Sequence, residues 1–175
     1  MSKEYGALKE KTGEVAFLAG VVDVLSDTLS LVCDSTSDFD ADIFYIPNND
    51  FAALDDAIKK RLKVYNQFMG SDCVKQKDID SIHLELEKIE EDVPEYVYKA
   101  FQNHCSNKNL QEAIDEFFGA LNWYLQKPMC IYRPGSQCSD HVLDILGRIY
   151  LYMAFDYFFI AYDEYMVLFV LGTTE

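Results

Sequence analysis

The stretch Ile149 to Leu171, IYLYMAFDYFFIAYDEYMVLFVL, constrains the fold more than any other part of the chain. It is the densest apolar and aromatic run present, and a run of that length is about what a membrane span needs, roughly 20 residues. Asp156, Asp163 and Glu164 interrupt it, and no basic residue follows Arg148 to anchor an end. The helical period also fails after about Tyr152. Residues Phe155–Tyr162 and Tyr165–Leu171 read as strands of aromatic and β-branched residues separated by Asp163-Glu164, which predicts an antiparallel hairpin. That turn lacks the favoured Asn-Gly or Asp-Gly pair. The aromatics of the hairpin are expected mainly in the core. A sheet with one open face would also let tyrosines beside Asp156, Asp163 and Glu164 meet a partner.

Helices account for most of the remainder. From Glu14 to Cys33 apolar residues recur at threes and fours, giving a helix with a wide apolar face. Gly20 inside it marks a close helix contact or a break, and the β-branched content leaves a strand reading of Val21–Val32 open. Residues 1–11 suit an arm or a first helical turn. Asp34 to Asp38 is a turn by composition, and Ile43–Ile46 is a short strand. Asp50 then caps a helix to about Met69, with Leu54, Ile58, Leu62, Tyr65 and Phe68 on one face and Gly70 as its stop. Ile79, Ile82, Leu86 and Ile89 predict a further helix over Lys77–Glu91. Pro94 suits the first turn of a short helix after Asp92. Asn109 opens a helix to Gln126, and Met129–Tyr132 is a second short strand. Ser139 or Asp140 caps a helix from His141. Together these predict an α+β, mainly helical single domain over residues 1–175, with about five helices packed on a small antiparallel sheet that includes the C-terminal hairpin.

Charge narrows the partners. Thirty acids against fifteen bases leave a net charge of −15. Such a surface repels phosphates, so direct nucleic-acid binding and anionic membranes are disfavoured, and a basic protein partner or a cation is favoured. No Lys or Arg occurs between Lys11 and Lys59, a span holding Asp34, Asp38, Asp40 and Asp42 among others. A second acidic zone contains Glu87, Glu90, Glu91 and Asp92, relieved only by Lys88. Acidic runs are commonly solvated helix faces and N-caps. The functional alternative is a surface that imitates nucleic-acid phosphates and is steered into a basic channel. The expected partner-binding residues are Asp34, Asp38, Asp40, Asp42, Glu87, Glu90, Glu91, Asp92, Asp163, Glu164 and Tyr165.

The sequence supplies little for catalysis or metals. Asp38, Asp40 and Asp42 alternate like the first ligands of an EF-hand, but Ile43 stands where Gly is needed and Asn49 where a bidentate Glu is needed. Extended backbone would put the three on one face instead. Cys138-x-x-His141 is half a zinc pattern with no second pair, and His104-Cys105 are sequence neighbours that do not face each other. GxSxG, HExxH, P-loop and GxGxxG motifs do not occur. No catalytic residue, metal ligand or cofactor is therefore expected. Cys33, Cys73, Cys105, Cys130 and Cys138 show no CxxC spacing, and the MSKEYG start is not a basic-then-apolar leader, which reads as free thiols in a reducing cytoplasm.

In size, charge, cysteine usage and α+β character the chain resembles the small acidic inhibitors of bacteria and phages: toxin immunity proteins, anti-restriction proteins and anti-CRISPR proteins. No motif carries that likeness, so it assigns no residue. It implies a non-enzymatic inhibitor of a nuclease, an RNA-guided effector or another nucleic-acid-processing protein. The alternatives are an immunity protein against a cognate toxin and a small enzyme using carboxylates.

Overall fold

The C-terminal hairpin forms as its pattern predicts. In the computed structural model, which describes residues 2–32, 38–70, 74–102, 109–128, 130–150 and 153–173, β4 (Met153–Ala161) pairs antiparallel with β5 (Tyr165–Thr173). The Tyr162 N–H donates to the Tyr165 carbonyl at 2.8 Å and closes the turn over Asp163-Glu164. Neither turn residue has a positive φ. A third segment holds this turn in place, since the Ile46 N–H donates to the Glu164 carbonyl at 2.8 Å.

Around the hairpin stand β1 (Asp38–Tyr45), β2 (Leu86–Ile89) and β3 (Cys130–Pro134). The sheet order is β1-β5-β4-β3-β2, and every neighbouring pair is antiparallel. Six α-helices flank it among the described residues: α1 (Ser2–Ser30), α2 (Phe51–Met69), α3 (Gln76–Asp80), α4 (Val93–Gln102), α5 (Leu110–Leu125) and α6 (Asp140–Tyr150). The fold is α+β and mainly helical, as the sequence predicts.

Strand alternation divides the core in two. Phe158, Ile160, Tyr162, Val167, Phe169 and Leu171 pack with buried residues of α1, α4 and α5. Tyr157, Phe159, Ala161, Met166, Leu168 and Val170 face α2, α3 and α6. The hairpin is thus the middle layer of three, not a floor with one open face. Its unbroken apolar run follows from burial on both sides, the pattern a strand shows when it has no solvent face. Phe158 stacks on Phe169 with centroids 5.0 Å apart and planes 9° apart, and Phe39 and Phe117 pack on the same ring of Phe169.

The caps match their residues. Asp50 Oδ1 accepts from the Ala52 and Ala53 N–H groups, and Gly70 closes α2 at φ 64°, a left-handed conformation that favours glycine. Asp92 Oδ1 accepts from the Glu95 N–H at the start of α4, and Ser139 Oγ accepts from the Val142 N–H at the start of α6.

The helix expected from Glu14 holds through Ser30, which closes the strand alternative for Val21–Val32. Three expectations are corrected. Gly20 neither breaks α1 nor meets a neighbour: a Cβ there would find open space. The predicted helix over Lys77–Glu91 is a single turn, α3, followed by strand β2. Ile82 and Leu84 are buried while His83 and Glu85 are exposed, so the operative period from Ile82 to Glu87 is two. Phe68 is 86% exposed, on an open cleft that the last turns of α2 share with Asp40 and Ala41 of β1. The Asp34 turn and the expected fraying at 103–107 lie outside the described residues.

Candidate functional site

The sheet register decides which acids share a surface. Tyr45 pairs with Tyr165, Met166 with Ala161, Ala161 with Cys130, and Ile131 with Ile89. The ends of β1, β2 and β4 and the starts of β3 and β5 therefore lie at one end of the sheet. Asp163 and Glu164 turn there, and Glu90, Glu91 and Asp92 leave β2 there. The β2 and β4 strands are two strand spacings apart, roughly 10 Å. That is at or beyond a Debye length at physiological salt, so the two groups of charges scarcely affect one another but are presented on the same end of the sheet.

This end is acidic but not bare. Glu90 pairs with Lys88 at 2.9 Å, and Lys99 bridges Glu91 at 3.0 Å and Glu95 at 3.1 Å. Those hydrogen bonds hold the Lys88 and Lys99 ammonium groups above their ordinary pKa. Glu164 accepts from the Tyr45 hydroxyl at 3.3 Å, and Asp163 is exposed. Among the described residues, Glu90, Glu91, Asp92, Glu95, Asp163 and Glu164 lie at or beside this end together with Lys88, Lys99 and Lys127.

Asp40 and Asp42 serve a different purpose. They do share one face of an extended strand, as their alternation predicts. But β1 is an edge strand, and an open edge is a template for unwanted pairing. The Ala41 N–H donates to Asp40 Oδ1 at 2.8 Å, and the Ile43 N–H donates to Asp42 Oδ1 at 2.9 Å. Ser30 Oγ, from α1, donates to the Phe39 carbonyl at 2.8 Å. Side chains of the fold itself thus occupy three backbone groups of this edge strand. Asp42 is only 6% exposed, and its second oxygen lies 2.8 Å from Arg61 Nε on α2.

Asp42 is therefore structural, which corrects its expected role as a partner contact. Tyr165 is likewise buried, packed edge-on against Tyr45 with centroids 5.6 Å apart. Asp38 opens β1 opposite Gly172, at the far end of the sheet from the turn. Glu87 is exposed on β2, the other edge strand. Its carboxylate lies over Gly135 and accepts from the Ser136 N–H at 3.3 Å. Asp34 lies outside the described residues. Of the expected contacts, then, the fold gathers Glu90, Glu91, Asp92, Asp163 and Glu164, and separates Asp38, Asp40, Asp42 and Glu87 from them.

One polar pair escapes sequence reasoning. Asp55, on α2, is buried; its Oδ1 accepts from the Leu84 N–H at 2.9 Å and its Oδ2 lies 2.8 Å from His83 Nδ1. It ties α2 to the segment entering β2. Acid spacing could not have found it, because Asp55 and Asp56 look alike in sequence. Only the core stripe Leu54-Ile58-Leu62, which leans toward Asp55, marks the inner one.

Cys138 and His141 do not converge on a metal. His141 Nε2 lies 3.5 Å from Asp78 Oδ1, while Cys138 is buried beside the Glu85 backbone. Burial raises the Cys138 thiol pKa, and the Glu85, Asp55 and Asp140 charges add to this against an opposing backbone hydrogen bond. A thiol so placed is a poor nucleophile. Among the described residues no group of three or more His, Cys, Asp or Glu could hold a metal ion. His104 and Cys105 lie outside them. Cys130 and Cys138 are free thiols. Among the same residues no helix is long and apolar enough to cross a membrane. No protein-family model matches the chain, and neither a curated protein nor a solved structure matches it significantly.

Proposed function

We propose that this chain is a non-enzymatic acidic binding protein that occupies a basic surface of a protein partner. The favoured partner is a nucleic-acid-processing effector of the kind that anti-CRISPR or anti-restriction proteins inhibit. One observation carries the reading. Among the residues whose side chains are described only Asp42 and Asp55 are buried acids, so the acidic excess of those residues belongs almost wholly to the surface. A surface with that excess is attracted to the basic channels that hold DNA or RNA, and the attraction acts over a Debye length before contact. The sheet end formed by Glu90, Glu91, Asp92, Asp163 and Glu164 is the contact surface in this reading.

The test is competition. A fluorescent version of the chain is titrated into purified RNA-guided effectors and restriction nucleases at low and high salt, with and without their nucleic acid. The reading expects 1:1 binding that salt weakens and nucleic acid displaces. Binding that leaves nucleic-acid affinity untouched refutes occupation of the channel and favours an immunity protein acting at a separate surface.

A further inference from the structure

α1 carries two apolar stripes, and the fold uses one. Leu18, Val22 and Leu29 are buried in the core. Phe17, Val21, Val24, Thr28 and Leu31 form a second stripe at alternating four- and three-residue spacing, the spacing of a coiled-coil seam. This stripe faces outward: Phe17 is 57% exposed, Val24 65% and Leu31 84%. A helix apolar on two sides is normally covered on two sides. The stripe borders a groove of about 420 Å³ between α1 and α5, into which Leu25 and Ala113 also project. At the Phe17 end, Tyr124 packs edge-on against Phe17 with centroids 5.5 Å apart, and Trp123 beside it is 85% exposed.

The flanking charges select the occupant. Asp23 and Asp27 run along one side of the stripe on α1, and Glu112 and Glu116 line the α5 side of the groove. Partial burial holds the Asp23 carboxyl above its ordinary pKa, with Asp27 adding to this and Arg61 opposing it. Neither Gly13–Val32 nor Asn109–Gln126 contains a Lys or Arg. An apolar seam between two acidic rails complements a helix with an apolar stripe between two basic rails. A second copy of this chain would set acid against acid across the seam.

We infer that the outer face of α1, with the α1–α5 groove, is a docking surface for a basic amphipathic helix of a partner protein. The stripe from Phe17 to Leu31 spans about 21 Å, so a helix of about 15 residues matches it. This surface shares no residue with the sheet-end acids, and its test stands apart from theirs.

Trp123 is the sole tryptophan and adjoins Tyr124, which packs on Phe17, so its emission reports on the Phe17 end of the stripe. The probe is a synthetic helical peptide with leucines at three- and four-residue spacing and lysines on both flanks. The native protein should bind it 1:1, with a blue shift of Trp123 emission and an affinity that falls with salt. Val24→Asp, and separately Glu112→Lys combined with Glu116→Lys, should each weaken binding about tenfold or more while circular dichroism is unchanged. If Val24→Asp does not fold, the charge-reversal pair decides. An unshifted Trp123 emission refutes the proposal, as does an equal response to a scrambled peptide or to one with glutamate for lysine. Folded variants that bind like the native protein refute it too. So does sedimentation showing that the chain dimerises through this face.

Discussion

Replacing Asp42 with alanine separates a structural acid from a binding acid. The substitution removes an acceptor from the Ile43 N–H, 2.9 Å away, and a partner from Arg61, 2.8 Å away. A hydrogen bond to a charged group contributes about 1.5–3 kcal/mol. The Arg61 side chain is 50% exposed, so its guanidinium regains water when the carboxylate is lost and the ion pair adds only about 0.2–1 kcal/mol. The sum is about 2–4 kcal/mol for Asp42→Ala. Asp42→Asn keeps an acceptor and should cost about 1 kcal/mol. For a chain of this length the alanine variant should melt about 4–16 °C lower. Urea unfolding followed by circular dichroism measures the difference, with the slope unchanged. Removing the carboxylate also reopens the edge of β1, so the variant should self-associate more readily by sedimentation. An alanine variant within about 0.5 kcal/mol of the native protein, the ordinary range for a surface change, would refute this account of Asp42.

Other substitutions probe other layers. Phe158→Ala empties the stack against Phe169 at the centre of the sheet and should cost about 3–5 kcal/mol by the same urea assay. Asp55→Ala orphans the buried Leu84 N–H and should cost about 1–3 kcal/mol, whereas His83→Ala, at an exposed ring, should cost under about 0.5 kcal/mol. Burial, with Asp144 adding, pushes the Tyr157 hydroxyl up to about 12. Its unfolded value is the ordinary one near 10, so its stabilising contribution is complete below about pH 10 and is lost as pH rises toward 12. Alkaline titration followed by tyrosinate absorbance should show a late-titrating class that Tyr157→Phe reduces.

Local chemistry was the most readable level of this chain. Asp50 and Gly70 bound α2, Ser139 begins α6, and Asp163-Glu164 is a turn, because each of these is decided by residues a few positions apart. Ile79, Ile82, Leu86 and Ile89 misled because their spacing fits a helix. The arbiter was Leu84, which lies off that stripe but on the alternation Ile82-Leu84-Leu86 that a strand needs. Pairing of β1 with β5 joins residues 120 to 134 positions apart, and no local pattern encodes such a partner. The same limit hid the roles of the acids. Asp40 and Asp42 read as surface charge until β1 proved to be an edge whose N–H groups needed acceptors. Two-faced burial of the hairpin was implicit in its unbroken apolar run, but one open face was expected because antiparallel sheets commonly have one. The same expectation obscured the outward stripe of α1, since an apolar residue at helical spacing reads as core until the packing shows what covers it.

The central claim is that a surface acid cluster at the sheet end meets a basic partner in competition with nucleic acid. Its most direct test is a variant with Glu90→Gln, Glu91→Gln, Asp163→Asn and Glu164→Gln together, titrated beside the native chain into an effector that the native chain binds. The account predicts an unchanged circular dichroism spectrum, an affinity at least about tenfold weaker, and a flatter dependence on salt. A folded variant that binds as tightly as the native chain, with the same salt dependence, would contradict it.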